Sequence, residues 1–178
     1  SAGNHAQGLA WAAYRLGVQA ITVMPHGAPE NKIAGVSHWG ATVRQHGDSY
    51  DEAYAFAREL AEQNDYRFLS AFDDPDVIAG QGTVGIEIAP HSPDVVIVPI
   101  GGGGLAAGMV SYFRHVSPAT KIIGVEPLGA PAMKQSIENG ENTPLKDIDK
   151  FVDGAAVKRV GDLTFAICRD ALDRVLAI

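Results

Sequence analysis

The sequence predicts an α/β fold in which parallel sheets are layered between helices. Three observations carry that prediction. Short apolar strands and amphipathic helices alternate along the chain, the order that parallel sheets with helical crossovers require. Residues 95–100 are a continuous, β-branched apolar run, suited to a central strand buried on both faces of a parallel sheet. Four consecutive glycines follow that strand at once and open a helix.

The elements follow in order. Ser1-Ala2-Gly3-Asn4 is a loop entering a helix over 5–16, where Leu9, Ala12, Ala13 and Leu16 fall at helical spacing and Gly17 stops it. Residues 20–24 are a short strand closed by Pro25. Pro29 stands like a first-turn proline ahead of a helix through Lys32, Ile33, Val36 and Trp39, which Gly40 ends. A second strand spans 41–45. Over 50–64, Tyr50, Ala53, Tyr54, Ala57 and Leu60 share one stripe of an amphipathic helix. A third strand is expected over 66–71. The polar break Phe72-Asp73-Asp74-Pro75-Asp76 precedes a helix expected over 80–89. After the strand at 95–100 come a helix over 105–116, a strand over 121–125 and a helix over 131–139. A mostly irregular stretch over 140–153, a helix over 163–173 and a strand over 174–178 complete the chain. The break is expected to separate two units, 1–70 and 71–178.

Composition narrows the function. The 178 residues carry a net charge of −7, which argues against nucleic-acid partners, because these need a clustered basic footprint. With 46% hydrophobic and 20% charged residues, the composition is that of a globular chain and argues against disorder. No apolar run approaches the roughly 20 residues that cross a bilayer, so no membrane partner is expected. The single Cys168 cannot close an internal disulfide and fits a reducing, cytoplasmic setting. Its neighbours Phe165, Ile167 and Leu172 suit a buried thiol rather than a nucleophile. No His-x-x-x-His pair suggests zinc. Asp73, Asp74 and Asp76 lack the other ligands of a calcium loop and fit turn chemistry. Trp11 and Trp39 are expected to pack.

Two segments resemble nucleotide fingerprints. Gly80-Gln81-Gly82-Thr83-Val84-Gly85 matches G-x-G-x-x-G by letters, but no strand precedes it and no acid ends the next strand. Close helix packing is the better reading. Gly101-Gly102-Gly103-Gly104-Leu105 differs, since it joins the best strand to a helix. Free N–H groups and the helix dipole then face an anion. Each glycine in regular structure costs roughly 0.5–1 kcal/mol relative to Ala, so a run of four argues for a ligand over packing. No Lys-Ser/Thr pair follows, which excludes a P-loop. At the amino end, Gly3 could leave N–H groups free for a carboxylate and Asn4 offers both donor and acceptor, although spacing alone indicates only a helix cap.

Longer words carry a resemblance. Ser1-Ala2-Gly3-Asn4-His5-Ala6-Gln7-Gly8 resembles the asparagine loop of the threonine dehydratases, pyridoxal-phosphate enzymes of the tryptophan synthase β-like (fold type II) group. Phe72-Asp73-Asp74-Pro75-Asp76-Val77-Ile78-Ala79-Gly80-Gln81-Gly82-Thr83 is similar to another stretch of that family. So are Pro99-Ile100 with the four glycines, Gly124-Val125-Glu126-Pro127, and Asp153-Gly154 with Ala156-Val157-Lys158. The matches run in family order across nearly the whole chain. They imply two parallel-sheet, three-layer units of that fold, truncated at both ends. Pyridoxal 5'-phosphate is the implied cofactor. Its phosphate would be held by main-chain N–H groups of Gly101, Gly102, Gly103, Gly104 and Leu105, its phenolic oxygen by Asn4, with Gly154 near the ring. Ser1, Ala2, Gly3, Asn4 and His5 would bind the substrate carboxylate. The implied reaction turns L-threonine, and L-serine, into a 2-oxo acid and ammonia, as in isoleucine biosynthesis or threonine catabolism. A homo-oligomer is expected of the full-length protein.

Two family parts are missing from the sequence. The Schiff-base lysine is expected upstream, in a Ser-Phe-Lys-x-Arg-Gly context that none of the chain's lysines has, so no catalytic residue is assigned here. The Ser-Gly-Gly-Asn segment that meets the pyridine nitrogen is expected downstream. The chain is therefore expected to be an internal fragment, inactive alone. Racemases of the family place a serine where Ala2 stands, which disfavours racemisation. They also use the Glu of the Glu-Pro motif in a cation site. Glu126 is present, but Ala132 stands at the Asp position, so a site there would be weaker for a hard cation; no metal is expected, with Glu126 a weak candidate. Ser70-Ala71 replaces an expected His-Pro. The rival within the fold is a serine dehydratase or serine racemase. The rival outside it is a non-catalytic anion- or nucleotide-binding α/β domain.

Overall fold

Two parallel sheets organise the chain, one in each of two units that divide between Leu69 and Ser70. The computed structural model describes residues 3–149, 151–152 and 154–178. The first unit begins with α1 (Asn4–Leu16), whose buried face is Ala6, Ala10 and Ala13. Gly17 closes it at φ 67, and its N–H returns to the carbonyls of Ala13 and Tyr14. Strand β1 (Ile21–Met24) pairs in parallel with β2 (Thr42–Gln45), with Ile21 opposite Thr42, and α2 (Glu30–His38) makes the crossover. Met24 and Val36 anchor a small core with Ala6, Ala10, Ala28 and Ala41. Helix α3 (Tyr50–Asn64) starts at a capping box: the Ser49 hydroxyl accepts from the Glu52 N–H, and the Glu52 carboxylate accepts from the Ser49 N–H.

The second unit begins with α4 (Pro75–Ile88), followed by β3 (Val95–Pro99), α5 (Gly104–Val116) and β4 (Lys121–Glu126). Helices α6 (Ala132–Asn139) and α7 (Asp162–Ala171) then lead to β5 (Arg174–Ala177). The strand order is β3-β4-β5, all parallel, with Val95 opposite Lys121 and Ile123 opposite Arg174. Phe113, Met109, Val110, Ile100, Ile122 and Met133 fill the core at 1% exposure or less. Cys168 joins that core, and burial pushes its thiol up to about 12, as expected of an inert structural cysteine.

Three expectations change. No strand forms over 66–71; the Leu69 carbonyl lies 3.3 Å from the His5 ring Nε2, and no strand among the described residues runs alongside to complete a ladder. Helix α4 starts five residues before the expected position. The Asp74 carboxylate accepts from the N–H groups of Asp76 and Val77, and Pro75 takes the first turn, so the polar break is a helix start. Strand β3 is buried on one face only: Val96 and Val98 are inside, whereas Ile97 is 67% exposed. It is an outer strand of the described sheet, and β4 holds the centre.

The G-x-G-x-x-G segment lies in the contact between α4 and α5. A Cβ on Gly108 would sit 2.5 Å from the Gly82 nitrogen and the Ile78 carbonyl oxygen, and one on Gly85 would meet the Tyr112 ring. We predict that Gly108→Ala forces the helices apart and lowers the unfolding free energy of the full-length protein by ~1–3 kcal/mol. Gly80 has nothing within 4 Å, and Gly80→Ala should stabilise by roughly 0.5–1 kcal/mol. Denaturant titration separates the two; equal behaviour would contradict the close contact.

Asp173 ties three elements together. Its carboxylate accepts from the Ile122 N–H at 2.7 Å and from Arg114 at 3.0 Å, and Arg114 also donates to the Ala171 carbonyl. The Ile122 N–H first, and then Arg114, hold this carboxyl below its ordinary value. Its stabilising contribution is therefore complete above the unfolded-state pKa and is lost as pH falls through the lowered folded value. Asp173→Asn should flatten the acid limb of a stability-versus-pH curve; an unchanged limb would contradict this assignment.

Candidate functional site

The residues after β3 form a tight loop at the carboxyl end of the parallel sheet, the place where α/β sheets bind ligands. The Ile100 N–H still pairs with the Val125 carbonyl, so the loop leaves the sheet only after Ile100. Gly103 turns it at φ 97, a conformation only glycine adopts cheaply, and caps α5 without any side-chain hydrogen bond. Among the described residues, none accepts a hydrogen bond from the N–H groups of Gly101, Gly102, Gly103, Gly104 or Leu105. Five successive donors at the positive end of a 13-residue helix form a ready anion cradle.

Packing also demands these glycines, which corrects the expectation that a run of four signals a ligand rather than packing. A Cβ on Gly102 would lie 2.2 Å from the Phe72 ring, and one on Gly104 would lie 3.0 Å from the Phe72 Cα. On Gly103 it would strike Thr164 at 2.8 Å, and on Gly101 it would approach Ala155 at 3.1 Å. The anion reading therefore rests on the five unspent N–H groups rather than on glycine content.

A second helix start supports the loop. The Asp73 carboxylate accepts from the N–H groups of Asp162, Leu163 and Thr164 at 2.9–3.2 Å, capping α7 from 89–91 residues away. The Thr164 hydroxyl, fully buried, donates to the Gly102 carbonyl at 2.7 Å, and the Gly161 N–H reaches the same oxygen at 3.2 Å. The Ser70 hydroxyl accepts from the Asp73 N–H at 3.1 Å, which gives the unusual Ser70 a turn-forming role. Spacing along the chain gave no sign of Thr164 or of the Asp73 cap, because the partners are distant in sequence. Only the word Phe72-Asp73-Asp74-Pro75 pointed to this segment.

The other named residues fall as follows. The Gly154 carbonyl lies 3.4 Å from where a Gly101 Cβ would be, so Gly154 adjoins the loop, and a Cβ of its own would meet nothing within 4 Å. Glu126 ends β4 and is 1% exposed. Its two oxygens accept from the Met133 and Lys134 N–H groups at 2.7 and 2.8 Å, capping α6. Burial pushes this carboxyl up while those two N–H groups and the Lys134 charge pull it back, with a net upward shift. Among the described residues, no group of three His, Cys, Asp or Glu side chains is arranged for a metal. In the other unit, Gly3 caps α1, Asn4 is its exposed first residue and His5 reaches Leu69. Ser1, Ala2, Lys150 and Asp153 lie outside the described residues. No helix among the described residues is long and apolar enough to cross a membrane.

Comparison with known proteins matches all of residues 1–178 to the family described as pyridoxal-phosphate dependent enzyme. The whole chain is 50% identical to a biosynthetic, chloroplastic threonine dehydratase of Arabidopsis thaliana and covers 31% of that protein. It is 46% identical to a biosynthetic L-threonine dehydratase of Burkholderia multivorans, covering 36% of it. The chain thus spans about a third of the length of these relatives. Among solved structures, the processed threonine deaminase isoform 2 of Solanum lycopersicum superposes over the whole chain with a TM-score of 0.94 and 45% identity, 52% of that chain being covered. Maize serine racemase superposes with a TM-score of 0.93 at 31% identity, 54% of its chain being covered.

The Asp73 cap is directly testable. Asp73→Ala should lower the unfolding free energy by about 2 kcal/mol, the upper range for a lost helix cap, and Asp73→Asn by less, since an amide oxygen still accepts. Thermal unfolding of the full-length protein checks this, and an Asp73→Ala protein as stable as the parent would contradict it.

Proposed function

Because the chain belongs to the pyridoxal-phosphate dependent enzyme family, we propose that it forms part of a threonine dehydratase, a lyase that converts L-threonine, and L-serine, to a 2-oxo acid and ammonia. The observation that carries the reading is the run of five unspent N–H groups over 101–105 at the start of α5, which fits a phosphate monoester. Identities of 46–50% with threonine dehydratases support the choice of substrate.

The N–H groups of Gly101, Gly102, Gly103, Gly104 and Leu105 hold the cofactor phosphate, and the dipole of α5 adds to its binding. Gly154 keeps side-chain bulk away from the ring. Asn4 offers its amide to the phenolic oxygen, and the loop of Ser1, Ala2, Gly3, Asn4 and His5 takes the substrate carboxylate. When bound, pyridoxal phosphate supplies an electron-withdrawing ring, while the protein supplies orientation. Ala2 carries no proton-transfer group, which favours elimination over racemisation. Both Glu126 oxygens accept from N–H groups of α6, and Ala132 stands where the racemases carry an Asp, so no cation is proposed at that carboxylate. A single, buried Cys168 suits a reducing compartment, cytoplasmic in this reading, although the Arabidopsis relative is named chloroplastic.

The test uses the full-length protein with L-threonine and L-serine. The expected result is release of ammonia with the 2-oxo acid of threonine at the higher kcat/KM, and no D-serine. A higher kcat/KM for serine would make it a serine dehydratase, and D-serine formation would make it a racemase. Binding of inorganic phosphate or a nucleotide without uptake of pyridoxal phosphate would replace the enzyme with a non-catalytic anion-binding domain.

A further inference from the structure

We infer that Thr164 is a positioning residue that fixes the direction of the Gly103 N–H, one of the phosphate-binding donors, by holding the Gly102 carbonyl. The inference rests on the phosphate reading of 101–105 and adds a residue outside that loop. A trans peptide is planar, with its N–H pointing opposite to its C=O. The Gly102 carbonyl and the Gly103 N–H share one such plane, so whatever holds the carbonyl aims the N–H. Two donors hold it: the Thr164 hydroxyl at 2.7 Å and the Gly161 N–H at 3.2 Å.

The Thr164 hydroxyl also lies 3.1 Å from the Gly161 carbonyl, but it has one proton, and the shorter bond to Gly102 takes it. Glycine peptides rotate easily, and Gly103 already sits at φ 97. A rotated Gly102–Gly103 peptide would present a carbonyl oxygen to an anion in place of a donor. The hydroxyl opposes that rotation. Thr164 is itself fixed on two sides: it is fully buried, and its own N–H donates to Asp73 at 3.2 Å. Residues 72 and 73 thus serve the loop twice, with Phe72 packed on Gly102 and Gly104 and Asp73 holding the helix that carries Thr164.

The experiment compares dissociation constants of pyridoxal 5'-phosphate and of pyridoxal, which lacks the phosphate, for the full-length apoprotein and its Thr164→Val and Thr164→Ser variants. Equilibrium dialysis gives the constants, and thermal unfolding of each apoprotein runs alongside. Thr164→Val should weaken the phosphorylated form about tenfold and leave pyridoxal within roughly twofold, while Thr164→Ser restores both. Equal weakening of the two ligands would mean a merely structural role and overturn the inference. So would unchanged binding of pyridoxal phosphate by Thr164→Val. If Thr164→Val does not fold, failure of Thr164→Ser to keep parental preference for the phosphorylated form has the same force. A parent protein that does not distinguish the two ligands would instead sink the phosphate reading, and this inference with it.

Discussion

The second unit turns on the Asp73 carboxylate. Three N–H groups at the start of α7 converge on its two oxygens, satisfying donors that a helix start otherwise leaves open. The contact joins residues 89–91 apart in sequence and so fixes where α7 begins relative to the glycine loop. Everything near the loop inherits that placement: Thr164 against Gly102, Gly161 beside it, Phe165 next in the chain and Cys168 one turn further on in the core. A Cβ on Gly161 would lie 2.2 Å from the Asp73 carboxylate, so even the residue before the helix is shaped by it.

Several helix starts are closed by side-chain oxygens. Asp74 caps its own helix, Asp73 caps α7 across the fold, Glu126 caps α6 from the end of β4, and Ser49 with Glu52 caps α3. Helix α5 starts without such a cap, on Gly103, as α1 does on Gly3 and α2 on Pro29. What sets the glycine loop apart, more clearly than its glycines do, is that none of its five successive N–H groups has an acceptor among the described residues.

Much of this was legible in the sequence because it is local. The helix over 50–64 matches its expected span, and the run at 95–100 located the strand that feeds the loop. Asp74-Pro75 carried a helix start that the density of aspartates disguised as a turn. What could not be read was non-local. No periodicity could say that Ile97 faces outward, that 66–71 lacks a pairing neighbour, or that Asp73 and Thr164 meet through α7. The family words at 72–83 and 101–104 marked segments that meet in the structure, and the reason is geometric: Phe72 occupies the space that side chains at 102 and 104 would need.

The open donors of the loop have a thermodynamic consequence for the protein as a whole. They are gathered at one helix start by the fold alone, because an unfolded chain does not hold five amides together. Any phosphate ester that takes them is bound by the native state and not by the unfolded one, so its concentration enters the folding equilibrium as a mass-action factor. At a hundred times the dissociation constant that factor amounts to ~2.7 kcal/mol, a sizeable part of the stability of an ordinary domain. Resistance to heat and to proteolysis would then rise and fall with the supply of ligand, with no change in the polypeptide.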